Sequence, residues 1–188
     1  LKSVLICDDE PVLRMSLKNK LKELGFAEIM ECSDGEAAVA SATSMLPDMV
    51  ILDVSMPKLD GISAAKAIRR KLKVPILLLT ACMDQQTVAR AKEAGVAGFM
   101  TKPFREQDLW PAIELAFAHA HEVDDLKEQV EDLKETIESR KIIEKAKGVL
   151  MRSHGLTEPE AFRRMQKLAM DKRKSLRQIA DAILLTES

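Results

Sequence analysis

Residues 49–61, Met49-Val50-Ile51-Leu52-Asp53-Val54-Ser55-Met56-Pro57-Lys58-Leu59-Asp60-Gly61, decide the fold. Four large apolar residues in a row end on a carboxylate, a Pro and an Asp-Gly pair then break the chain, and a helical pattern follows. A strand with one wet face alternates apolar and polar residues. A continuous apolar run of this length instead fits a strand buried on both faces, as in a parallel sheet covered by helices. Asp53 then stands at the carboxyl end of its strand, the edge where open parallel sheets bind ligands.

Outward from this segment the same unit recurs. Strands are expected at Val4–Cys7, Glu28–Cys32, Met49–Leu52, Ile76–Leu79 and Gly98–Met100. Helices are expected at Pro11–Leu24, Gly35–Met45, Ile62–Lys71 and Gln85–Ala94, ended by Gly25, Pro47, Pro75 and Gly95. Five alternations of strand and helix give an α/β class with a parallel sheet. Chain order places Asp8 and Asp9 after the first strand, Asp53 after the third, Thr80 after the fourth and Lys102 after the fifth, all on one edge. Three crowded carboxylates repel one another unless a cation sits among them, and oxygen donors of this kind suit Mg²⁺. A carboxylate can attack a phosphoryl group, a transfer that needs mainly positioning and charge stabilisation. Asp53 is the expected nucleophile, with the Thr80 hydroxyl and the Lys102 ammonium as partners of the phosphoryl oxygens.

These residues resemble the receiver domain of two-component response regulators: Asp8-Asp9, Asp53, Met56-Pro57, Asp60-Gly61, Thr80-Ala81 and Lys102-Pro103-Phe104 stand where that pattern wants them over residues 3–120. The resemblance implies a flavodoxin-like (βα)5 fold and makes Asp53 the phosphoacceptor. It gives Asp8, Asp9, Asp53 and the Ser55 backbone carbonyl to Mg²⁺, and supplies a histidine kinase as phosphodonor. Phe99 occupies the switch position where many members carry Tyr; with no Tyr in the chain, a hydroxyl-dependent form of that switch is excluded.

Beyond Lys102-Pro103-Phe104 the pattern is helical. Leu109, Ile113, Ala116 and Phe117 form one apolar stripe, and Pro111 must lie near a helix start or kink it. Val123, Leu126, Val130, Leu133 and Ile137 follow at spacings of three and four, a heptad seam that predicts a parallel two-stranded coiled coil. Glu122 of one chain would face Lys127 of the other. Three helices are then expected: 140–153, one opened by the capping box Thr157-Glu158-Pro159-Glu160, and one opened by Ser175-Leu176-Arg177-Gln178. The organisation read this way is a receiver at 1–120, a coiled-coil linker at 121–138 and a three-helix domain at 139–188.

Charge divides along the same line. Residues 1–138 hold 17 Lys and Arg against 24 Asp and Glu, a balance of −7, and residues 139–188 hold 12 against 6, a balance of +6. Lys141, Lys145, Gly148 and Arg152 share one helix face, Arg163, Arg164 and Lys167 line the next helix, and Lys172-Arg173-Lys174 fills the turn after it. Such groups attract phosphates without regard to sequence. The tail resembles the ANTAR domain, an RNA-binding transcription antitermination module, on Arg140-Lys141, Ile143-Glu144, Ala146-Lys147-Gly148, Leu150-Met151, Gly155, Glu160-Ala161-Phe162, Ala169-Met170 and Ile179-Ala180. That resemblance implies binding to paired RNA hairpins in nascent transcripts, with Lys147 among the contact candidates. Two other outputs fit the residues: a DNA-binding factor using Ser175–Leu185 as a recognition helix, and a helical surface that binds a protein.

The remaining expectations are negative or environmental. The chain is expected to be a phosphoacceptor and not an enzyme, a cytoplasmic protein without membrane contact or small-molecule substrate, and a homodimer once phosphorylated. Cys7, Cys32 and Cys82, odd in number and without metal spacing, are expected as buried reduced thiols.

Overall fold

The computed structural model describes residues 2–82 and 84–186. Five strands, β1 (Ser3–Cys7), β2 (Glu28–Cys32), β3 (Met49–Asp53), β4 (Ile76–Thr80) and β5 (Gly98–Thr101), form one parallel sheet in the order β2-β1-β3-β4-β5. Four helices cross between them: α1 (Pro11–Glu23), α2 (Gly35–Met45), α3 (Gly61–Arg69) and α4 (Gln85–Ala94). Strand order reverses direction at β1 and β3, so the crevice at their carboxyl ends is the topological switch point, which is where Asp8, Asp9 and Asp53 fall. β3, β4 and β5 each reach one residue further than expected, which takes Asp53 and Thr80 into the ladder. β1 begins one residue earlier, at Ser3. α1 stops short of Leu24, and α3 starts earlier, at Gly61, and ends at Arg69.

The two faces of the sheet hold separate cores. One packs Leu5, Cys7, Val50, Leu52 and Leu78 against α2, α3 and Ala91 and Ala94 of α4. The other packs Val4, Ile6, Ile51, Leu77 and Leu79 against Leu17 and Leu21 of α1 and Leu109, Ile113 and Ala116. Burial of Val4–Cys7 in β1 and of all of β3 and β4 explains their apolar runs, whereas β2, at the edge, buries none of its five residues fully. Caps fix the crossings: the Asp34 side chain accepts from the Ala37 N–H, Asp60 from Ile62 and Ser63, and Asp84 from Thr87.

α5 runs from Glu106 to His154 as one 49-residue helix, so the expected linker and the first tail helix are a single element. Nothing between residues 112 and 154 is a Pro, and the one Gly, Gly148, is tolerated in a helix at a modest cost. Pro111 lies in its second turn, near the start as expected. α6 (Glu158–Lys172) and α7 (Leu176–Thr186) complete the chain. Two compact units result, residues 1–124 and 125–188. The second has its own core, in which Ala146 and Leu150 of α5 meet Ala161 and Met165 of α6 and Ile179, Ala180 and Ile183 of α7. Both expected capping motifs operate: Glu160 accepts from the Thr157 N–H at 2.8 Å, and Ser175 and Gln178 bond each other reciprocally at 3.1 and 3.2 Å.

One expectation about the cysteines fails. Cys7 is buried and Cys32 half-buried, but Cys82 is exposed, because it lies in the loop after β4 and outside the sheet. All three are free thiols. Among the described residues no helix is long and apolar enough to cross a membrane.

Candidate functional site

Asp8, Asp53 and Thr80 are buried at the carboxyl edge of the sheet, and Asp9 beside them is exposed. One carboxylate oxygen each of Asp8, Asp9 and Asp53 lies within 4.8 Å of the others. Lys102, delivered by the loop after β5, places its Nζ 2.7 Å from Asp8 Oδ2 and 2.8 Å from Asp53 Oδ1, with Glu10 Oε1 at 3.8 Å. The Lys102 N–H also donates to the Thr80 carbonyl at 2.7 Å, and the Lys102-Pro103 peptide is cis. All five residues singled out in the sequence are therefore brought to one site.

The surrounding backbone is built to hold it. The Glu10 N–H donates to Asp8 Oδ1 at 2.9 Å, and Arg14 Nη1 donates to the Asp8 carbonyl at 2.5 Å. Gly61 opens α3 directly against Asp53: a Cβ there would stand 1.9 Å from the Asp53 carbonyl oxygen, so only glycine fits. Lys58, in the left-handed region at φ 65°, bonds Asp34 at 2.8 Å, and Arg90 of α4 bonds Asp60 at 2.9 Å. These two pairs tie the loop after Asp53 to α2 and α4. Arg14, Glu10, Lys58 and Arg90 were not recognised from the sequence: Lys58 and Arg90 act on residues 24 and 30 positions away, and Glu10 and Arg14, though near Asp8 in the chain, reach it only through the turn from β1 into α1. Ser55 lies exposed in the same loop, two residues after Asp53.

Electrostatics follow from this crowding. Burial pushes the Asp53 carboxyl above its ordinary value against the pull of Lys102, and the charges of Asp8 and Asp9 add to the rise. Burial draws Lys102 down, but its hydrogen bonds to Asp53 and Asp8 and their charges outweigh that, leaving the ammonium firmly protonated. A site with three oxygen donors and one lysine carries surplus negative charge, and the donors fit a hard divalent cation. The Thr80 hydroxyl is occupied, donating to the Cys82 carbonyl at 2.7 Å and accepting from the Cys82 N–H at 3.2 Å. Phe99, 43% exposed, shares a small apolar slot with Thr80, Val54, Leu78, Thr87 and Val88.

In the second unit the candidate cations sort into two groups. Lys147 is buried, 7% exposed: its Nζ lies 2.7 Å from Glu144 and 2.8 Å from Glu158, over the ring of Phe162. It clamps the start of α6 to α5, and both carboxylates hold it above its ordinary pKa. It therefore does not present an open ammonium, contrary to its place among the expected contacts. Lys141 is held at the surface by Glu138 at 3.1 Å. The side chains of Lys145, Arg152, Arg163, Arg164, Lys167, Lys172, Arg173 and Lys174 are exposed and make no hydrogen bond or ion pair among the described residues. On α5, Leu126 (53%), Val130 (49%), Leu133 (62%) and Ile137 (53%) are exposed along the heptad seam, and Val123 is half-buried.

The chain belongs to the response regulator family: residues 4–114 match the response regulator receiver domain, and residues 131–184 match the ANTAR domain. It is 44% identical to the transcriptional regulatory protein PdtaR of Mycobacterium tuberculosis, over 97% of this chain and 89% of that one. Similarity to the alkaline phosphatase synthesis regulator PhoP of Bacillus subtilis, 38% identical, covers 57% of this chain and 45% of PhoP. The chemotaxis response regulator CheY4 of Vibrio cholerae superposes with a TM-score of 0.58 at 30% identity, covering 62% of this chain and 98% of CheY4. The receiver fold expected from the sequence, and the ANTAR tail that follows it, both stand.

Proposed function

We propose that this chain is a phosphorylation-controlled regulator of transcript elongation: phosphorylation at Asp53 pairs two chains, and their tails bind RNA hairpins in nascent transcripts so that a terminator does not form. Residues 1–120 serve as receiver, 121–138 as connector and 139–188 as output. A histidine kinase supplies the phosphoryl group. An oxygen of Asp53 forms a bond to phosphorus as the phosphorus–nitrogen bond of the donor's phosphohistidine breaks, leaving an acyl phosphate on Asp53 and a free imidazole on the donor. Asp8, Asp9, Asp53 and the Ser55 carbonyl would hold Mg²⁺, which when bound would supply positive charge for the phosphoryl oxygens. Lys102 already touches Asp53 and takes one phosphoryl oxygen. Thr80 must release the Cys82 carbonyl to donate to another, which loosens the loop after β4 beside Phe99. The chain is an acceptor and not a turnover catalyst, works in the cytoplasm and needs no small-molecule substrate.

The observation that carries the RNA reading is the state of α7. A DNA-reading helix needs free Arg, Asn or Gln side chains on its exposed face. In α7 the two qualifying residues are engaged: Arg177 Nη1 bonds Ser139 at 3.3 Å and Glu135 at 3.5 Å, and Gln178 caps its own helix. The unpaired cations lie instead on α5, α6 and the turn after α6, where they suit the backbone of a folded RNA. Crosslinking the acetyl-phosphate-treated protein to cellular RNA tests this. Recovery of RNA stem-loops is expected, and recovery of duplex DNA in their place would overturn the reading.

A further inference from the structure

Gly148 stands inside a 49-residue helix, six residues before its last residue His154, where glycine is a poor helix former compared with Ala. Nothing inside the second unit asks for it. A Cβ built at Gly148 meets only Arg152 Nη1, at 3.5 Å, an ordinary contact with the tip of a flexible side chain. The backbone there is ordinary helix, unlike Gly155 with its φ of 64° just past the helix end. Ala146 and Leu150, two residues to either side, point into the core, so Gly148 is on the opposite side of α5. A glycine that costs helix stability without serving packing marks a place where something outside the fold comes close to the backbone.

Two partners could come that close, and charge decides between them. Gly148 flanks the heptad seam: continued at the spacings of three and four that run through Ile137, the seam passes Arg140, Glu144 and Lys147, and Gly148 follows directly after. A parallel second copy laid along this stretch would set Arg140 against Arg140 and Glu144 against Glu144, which is unfavourable. The apolar seam therefore ends at Ile137. Lys145 and Arg152 flank Gly148 at three residues before and four after, and both side chains are exposed and without an ion-pair partner among the described residues.

We infer that Gly148 is the point at which the ribose–phosphate backbone of a bound RNA stem rests against α5, with Lys145 and Arg152 taking the adjacent phosphates. The inference rests on the RNA reading above and specifies where that RNA touches. The absence of a side chain at Gly148 lets the sugar and phosphate approach the helix surface, Arg152 offers its planar fork and Lys145 a point charge. Lys147, although adjacent in sequence, is excluded because its ammonium is buried between Glu144 and Glu158.

The test uses the full acetyl-phosphate-treated chain and a pool of RNA stem-loops with randomised loops, measured by filter binding across a salt series, with sedimentation in the absence of RNA. Gly148→Ala is expected to raise the melting temperature and leave the dimer unchanged while weakening RNA binding about tenfold or more. Lys145→Ala and Arg152→Ala are each expected to weaken binding evenly across the pool and to lower the slope of log affinity against log salt by about one. Wild-type affinity in Gly148→Ala overturns the inference alone, because the RNA reading survives it. A Gly148→Ala chain that loses self-association instead assigns this face to a second copy and also overturns it. A wild-type chain that retains no stem-loop removes the RNA reading and this inference together.

Discussion

Asp8 and Asp53 share one ammonium, and that sharing sets how the site behaves before any phosphoryl group arrives. Lys102 lies 2.7 and 2.8 Å from the two buried carboxylates, so one cation answers two anions, with Asp9 close by. Removing one of the three carboxylates relieves a desolvated charge that the lysine alone does not balance. Asp53→Asn is therefore expected to melt a few degrees above the wild type in metal-free buffer, read by circular dichroism. Millimolar Mg²⁺ should raise the wild type more than the variant, since binding to the folded state adds stability. Asp53→Ala should in addition lose all labelling by acetyl phosphate, and label retained at another residue would reject the assignment of Asp53. The residues of this site were legible in the sequence because each ends or follows a strand. Arg14, which holds the Asp8 carbonyl, was not, since its contact depends on how α1 lies across β1.

Helices α2 and α4 each begin on an aspartate whose carboxylate takes a backbone N–H, from Ala37 and Thr87 respectively. Those hydrogen bonds, with Lys58 adding to the effect at Asp34, hold both carboxyls below their ordinary value of 3.8. A depressed folded pKa means stability that is present above the ordinary value and lost as pH falls through the folded one. Asp34→Ala and Asp84→Ala should each melt lower than wild type by a few degrees at neutral pH, and the difference should vanish in acid well below 3.8. A difference that persists there would assign the loss to packing. On α5 the seam residues Leu126, Val130, Leu133 and Ile137 are about half exposed or more, so they add little to the folding of one chain. Leu133→Lys is accordingly expected to leave the melting temperature of the receiver unchanged and to abolish phosphorylation-driven dimerisation in sedimentation. At this scale the heptad spacing was readable in advance. The merger of connector and first tail helix into one element was less so, because a change from seam to basic face resembles a boundary in sequence while the backbone passes through it unbroken.

The molecule consists of two units, each with a core of its own. The receiver packs both faces of its sheet, whereas the tail relies, among the described residues, on seven buried apolar side chains from three helices, including Met165. Truncating a buried Met to Ala costs roughly 2–5 kcal/mol, a large share of what a unit of this size possesses. Met165→Ala should thus melt the tail and abolish RNA binding while acetyl phosphate continues to label Asp53; loss of both together would show that the units fold as one. Sequence alone determined the alternation of buried strands and crossing helices, the order of Asp8, Asp9, Asp53, Thr80 and Lys102 along one edge, and the acidic and basic halves. Periodicity and strand ends are local properties that the residues carry themselves. Only the tertiary structure decided which charges are already spent. Lys147 is sealed between Glu144 and Glu158, Arg177 is tied to Glu135 and Ser139, and Lys145 and Arg152 remain unpaired beside Gly148. The physical reason is that a side chain's availability depends on the neighbours that packing brings from elsewhere in the chain, such as Glu158, 11 residues from Lys147, and Glu135, 42 residues from Arg177.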